Sequence, residues 1–120
     1  MMTIIQVDAL PPSNNKFIGR TNIWEYQQEK EKWHWLIKAA LANHPNKNKT
    51  FERAEVTIVY TFKDKRRHDP DNYSGKFILD ALVKEHIILD DDFEHIELHL
   101  AAMVDREHPH TTIIISEVEE

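Results

Sequence analysis

Branched apolar residues crowd the stretch "TIIQVDA" (Thr3 to Ala9), which reads as a first strand stopped by Pro11 and Pro12. After a loop over Asn14 to Thr21, the period changes. Trp24, Trp33, Leu36, Ile37, Ala40 and Leu41 recur at three- and four-residue steps, the mark of one buried helical face. The spacing predicts a long helix capped by Asn22 and running to about His44, before Pro45, with its tryptophans in the core. "AEVTIVYTF" (Ala54 to Phe62) alternates and is rich in branched and aromatic residues, hence a second strand. A turn-like loop over Lys63 to Asp71 leads to a second helix from about Ser74 to His86, with Phe77, Ile78, Ala81 and Leu82 on one face. "FEHIELHLAAMVDR" and "HTTIIISEVE" read as two more strands, joined through "EHPH" as an antiparallel hairpin. The order β-α-β-α-β-β predicts an α+β fold: a mixed sheet with two main helices packed against it.

Composition narrows this picture more than it extends it. A chain of 120 residues, 41% hydrophobic and 30% charged, has the makings of one globular domain spanning 1–120. It has no internal repeat, no low-complexity segment and only two glycines. The absence of cysteine excludes disulfides, zinc–thiolate sites and a thiol nucleophile. No apolar run is long enough to cross a bilayer, and "MMTIIQVDALPPSNN" lacks a signal peptide's charged and long apolar regions, so a cytoplasmic protein without a membrane partner is expected.

A net charge of −6 argues by itself against nonspecific binding to nucleic acid. The distribution argues otherwise. Acids gather in a few places, including the tail "SEVEE", whereas "KDKRRH" (Lys63 to His68) is a dense basic run and "NKNK" (Asn46 to Lys49) a weaker one.

The basic run abuts the most unusual segment of the chain, "RRHDPDNYSGKFILDALVKEHIILDDD" (Arg66 to Asp92). Asp69 and Asp71 flank Pro70, and in an extended stretch residues two apart point the same way, so both carboxylates can face one cation. Carboxylates packed this closely repel one another unless something positive sits among them, either a solvated basic loop or a divalent metal. Hard oxygen ligands of this kind suit magnesium. Asn72, Lys76, Asp80 and Lys84 fall four apart along the second helix; the plainest account of that stripe is a salt-bridged surface, Lys76 with Asp80 and Asp80 with Lys84.

Taken together, a basic run, "DPDN", a lysine, "DAL" and a double aspartate at this separation resemble the RusA-type Holliday junction resolvases, small metal-dependent endonucleases often encoded by prophages. The resemblance is most specific over Arg66 to Asp92. It implies metal-binding acids at Asp69, Asp71 and Asp91, joined by Asp90, and a catalytic lysine at Lys76, with Asn72 and Asp80 as supporting residues. Two departures stand out. The lysine follows the asparagine by four residues rather than three, through "NYSGK", and His86 stands where many members carry glycine.

The resemblance also implies a reaction and partners. Magnesium held by the aspartates would activate water to hydrolyse a DNA phosphodiester. Lys76 would steady charge on the scissile phosphate, and Lys63, Lys65, Arg66 and Arg67 would hold neighbouring phosphates. A four-way junction presents two symmetric strands to cut, which a homodimer answers. The competing expectation is a phage-derived protein that binds branched DNA without cutting it. His95, Glu97 and His99 read as a polar row along one face of the third strand, and His108 and His110 as residues flanking the hairpin turn.

Overall fold

A computed structural model describes residues 2–13, 23–66, 68 and 73–118. Its elements follow the expected order: β1 (Met2–Val7), α1 (Ile23–Leu41), β2 (Ala54–Phe62), α2 (Lys76–Lys84), β3 (Ile96–Val104) and β4 (His110–Glu117). The chain is α+β, with a mixed four-stranded sheet and two helices. The loop expected over Asn14 to Thr21 and the cap at Asn22 lie outside the described residues. Helix α1 ends at Leu41, short of the expected His44, because residues 42–48 continue only as turns.

The strand order is β1-β4-β2-β3, and this overturns the expected hairpin. Strand β4 pairs antiparallel with β1 on one side and β2 on the other, while β3 pairs only with β2, in parallel. The physical reason lies in the strands themselves. "TTIIIS" is a nearly continuous branched run with no exposed residue from His110 to Ser116, so β4 takes a central place. Strand β3 carries Glu97, His99 and two alanines and is largely exposed, so it takes an edge. The connection from Asp105 to Pro109 also has no glycine turn to fold the two strands directly onto one another.

One face of the sheet carries the core. Across it run the registered rows Ile5–Ile113–Ile58–Leu100 and Thr3–Ile115–Val56–Leu98. Trp33, Ile37 and Leu41 of α1 and Phe77, Ile78, Ala81 and Leu82 of α2 are buried in the same cluster, as expected of them. Trp24 is not: it is 70% exposed, a correction to its expected core position. It stands on the first turn of α1 but on the side of the helix away from Tyr26, the residue of that turn that packs on Phe77.

The two helices run in the same direction. Tyr26 meets Phe77 with ring centroids 5.3 Å apart, Lys30 meets Asp80 at 3.8 Å, and His34 meets Glu85 at 2.6 Å, so contacts advance together along both helices. None of the helices is long and apolar enough to cross a membrane.

Candidate metal and phosphate site

The site is built around the start of α2. Gly75 precedes the helix with φ +83°, and the first helical residue is Lys76. A side chain at Gly75 would put its Cβ 2.5 Å from Ile58 Cδ1, so the tight approach of this turn to β2 requires glycine. Ser74 and Gly75 therefore lie before the helix, and the extra residue of "NYSGK" belongs to the turn rather than to α2.

Lys76 is exposed at its helix start, yet its ammonium is hydrogen-bonded to Tyr26 of α1. That bond, and to a lesser degree the charges of Asp80 and Asp91, hold its pKa above the ordinary lysine value. Asp91, eleven residues after Asp80 in the chain, lies within electrostatic reach of both Asp80 and Lys76. Its carboxyl is pushed above the usual aspartate range, first by partial burial, then by its hydrogen bond with Asp90 and the like charge of Asp80.

The three consecutive aspartates have separated into distinct tasks. Asp90 Oδ1 accepts the backbone N–H of Asp91 at 2.8 Å. Asp92 Oδ1 accepts the backbone N–H groups of Glu94 and His95, both at 3.1 Å, and pairs with the His95 ring, closing the turn into β3. Their hydrogen bond with that aspartate raises the pKa of His95 and lowers that of Asp92. His95 thus belongs to the turn, not to the expected row on β3. Asp91 is the member within electrostatic reach of Asp80 and Lys76.

Two groups of side chains among the described residues bring ligand atoms close enough together to share an ion: Asp90, Asp92 and His95, and Glu55, Glu97 and His99. Asp91 is in neither group. Asp69, Asp71 and Asn72, and with them Arg67 of the basic run, lie outside the described residues.

The described members of the basic run, Lys63, Lys65 and Arg66, are exposed. Asp64 shapes this loop: its carboxylate accepts the backbone N–H of Arg66 at 3.1 Å, and its other oxygen stands 3.6 Å from Arg66 Nε. His68 lies flat on Phe62, centroids 3.6 Å apart and planes within 6°, and Tyr73 meets both rings edge-on. These rings anchor the described residues on either side of the "DPDN" segment to the end of β2.

The salt-bridged stripe expected within α2 does not form as drawn. Asp80 pairs instead with Lys30 across the helix interface, and Lys76 turns to Tyr26. Tyr26 and Lys30 are therefore part of the site, and the sequence reading passed over both. The signal was available: Tyr26, Lys30, Trp33, Ile37 and Leu41 form one continuous helical stripe. Its polar half faces the polar stripe of α2, and its apolar half faces the core.

The chain matches no protein-family model and no curated protein.

Proposed function

We propose that the chain is a magnesium-dependent endonuclease that cuts branched DNA, four-way junctions above all, as a homodimer. The observation that carries this reading is the approach of Asp91 to Asp80 and Lys76. An acid from the segment after α2 returns near the helix whose first turn bears the lysine, which puts carboxylates and a cation in one neighbourhood, as a metal-assisted phosphoryl site would use them. His86 adds support. It holds φ +59°, a conformation that glycine adopts at least cost, at the position where members of the RusA-type family commonly have glycine.

The donor set fits a hard divalent cation. Asp80, Asp90 and Asp91 offer only oxygen, and the pKa of Asp91, raised first by partial burial and then by its hydrogen bond with Asp90, is raised further by the like charge of Asp80, which a cation would relieve. On this reading Asp91, with Asp69 and Asp71, would hold magnesium, and Asp90 and Asp80 would support them. Bound there, magnesium supplies the charge that lowers the pKa of a coordinated water and offsets charge on the phosphate. Lys76, oriented by its hydrogen bond with Tyr26, places a positive charge near the same acids and would meet the scissile phosphate. Lys63, Lys65 and Arg66, exposed on the loop after β2, would grip the flanking phosphates.

One gel tests the reading. Purified protein is incubated with a labelled four-way junction and with plain duplex of the same sequence, with and without magnesium. Symmetric nicking of the junction that requires magnesium is expected. Junction binding without cutting would leave a branched-DNA-binding protein, and absence of binding would remove nucleic acid altogether.

A further inference from the structure

Where β2 ends, the structure forms a small open pocket of about 80 Å³. Among the described residues, Tyr60, Phe62, His68 and Tyr73 wall one side and Leu100, Ala101 and Ala102 the other. Its walls are aromatic and apolar, so a phosphate or a metal is not its occupant. A second hollow shares Phe62, His68 and Tyr73 and is rimmed by Lys63 and Arg66. The same three rings thus line both hollows, and the cations border the second. Within it, His68 Nε2 is buried, has no hydrogen-bond partner among the described residues, and stands 3.9 Å from Asp64 Oδ1.

The pocket stays open because of the sheet's topology. Strand β3 is an edge, and the helices cover the sheet only as far as β2 beside it: Leu98 is 37% and Val104 47% exposed on the face where the β2 residues paired with them are buried. The small side chain of Ala102 sits directly across from Tyr60 in the register, which leaves room over the ring.

We propose that this recess receives one unstacked nucleobase of the strand whose phosphates lie on Lys63 and Arg66. A base is flat, has an apolar face that stacks on aromatic side chains, and carries a polar edge for a buried donor or acceptor such as His68 Nε2. It also arrives attached to a phosphate, which the cations bordering the second hollow match. Asp64, on the same rim, stands between two of these groups, 3.6 Å from Arg66 Nε and 3.9 Å from His68 Nε2. Branched DNA supplies such bases cheaply, since unstacking costs least where the duplex is already interrupted. The inference rests on the branched-DNA reading above, and names the part of the substrate that reaches beyond the backbone.

The test measures junction affinity in calcium, which suppresses cutting, using junctions that carry a single abasic site at each nucleotide around the branch point in turn. Wild-type protein should lose about five-fold or more in affinity at one branch-proximal position, the least that one base–aromatic stack is worth. Ala102→Trp fills the recess from an exposed strand position, and should bind the intact and abasic junctions equally, at the weaker level. His68→Leu, checked for folding by circular dichroism, should reduce the abasic sensitivity in the same direction. Wild-type indifference to every abasic position, or undiminished sensitivity in Ala102→Trp, overturns the pocket's role while magnesium-dependent cutting leaves the nuclease reading standing. Absence of junction binding by the wild type overturns both.

Discussion

Lys30, midway along α1, holds its ammonium 3.8 Å from the carboxylate of Asp80 on α2. Both groups are about a quarter exposed, so the pair is worth at most about 1 kcal/mol to the fold. Its larger effect is electrostatic. A cation placed here partly neutralises an acidic cluster that a metal would otherwise neutralise. Lys30→Met should therefore tighten the apparent affinity for magnesium, by about two- to five-fold for a unit charge acting through solvent at this range. The midpoint of a magnesium titration, read by junction cleavage and by isothermal calorimetry, measures it. An unchanged or weakened midpoint would separate Lys30 from the site.

Asp91→Asn keeps the shape and removes the charge. Magnesium-dependent cleavage should fall by about 100-fold or more, as should that of Asp71→Asn, while junction binding in calcium stays within about three-fold of wild type. Asp91→Asn should also raise the melting temperature of the metal-free protein slightly. A carboxyl whose folded pKa is raised resists ionisation, so its charged form opposes folding at neutral pH, and losing that charge is a small gain. Wild-type cutting by either variant would remove that aspartate from the catalytic set.

The extent to which this site was legible in the sequence follows from how local each signal is. Helix α2 and its buried face were legible because Phe77, Ile78, Ala81 and Leu82 repeat within a few turns, and β2 was legible to the residue. The pairing of β3 and β4 was not, since sheet order is decided by which strand best tolerates burial on both sides. That comparison needed "TTIIIS" to be weighed against "IELHLAAMV" rather than joined to it. The motif indicated Lys76, Asp80 and Asp91 together. It could not show that Asp80 is shared with Lys30 or that Lys76 is held by Tyr26, because those partners come from a different helix, some fifty residues earlier. Nor did three aspartates in a row reveal their division of labour, which depends on the turn that Asp90 and Asp92 close.

Gly75 and His86, the two residues at positive φ among the described residues, bracket α2 and should respond to substitution in opposite ways. Gly75→Ala meets both an unfavourable backbone angle and Ile58 Cδ1 at 2.5 Å, and should cost about 2–4 kcal/mol. His86→Gly relieves a left-handed conformation whose backbone carbonyl, accepting from Thr50 Oγ1 at 2.6 Å, is unaffected by the change. A net gain of about 0.5 kcal/mol is expected, after the greater flexibility of glycine in the unfolded chain is counted. Urea denaturation of the two variants decides it; a neutral Gly75→Ala would contradict the close approach of this turn to β2.

The exposed cations after β2 should be visible in the salt dependence of binding. Lys65→Ala combined with Arg67→Ala ought to weaken junction binding and flatten the slope of log affinity against log salt by about 1 to 2, the contribution of one or two phosphate contacts. Arg66 gives a useful contrast. Its guanidinium already stands 3.6 Å from Asp64, so Asp64→Asn should free it and steepen the slope. Slopes indistinguishable from wild type in both variants would take this loop off the DNA.

Asp8 and His108 tie the end of β1 to the connection between β3 and β4, with His108 Nε2 2.9 Å from Asp8 Oδ1. The hydrogen bond with His108, aided by Gln6, holds the Asp8 carboxyl below the ordinary value of 3.8. The sign of the linkage follows. A carboxyl with a depressed folded pKa contributes stability that is present above its unfolded value and is lost as pH falls through the folded one. Both side chains are exposed, so the contribution is small and screened by salt. Carbon-detected NMR titration should find the Asp8 midpoint below 3.8 in the wild type and closer to it in His108→Ala, with Gln6 retaining part of the depression. A midpoint that does not move on removing His108 would mean the contact is not maintained in solution, and with it the tie that holds the β3–β4 connection against the end of β1.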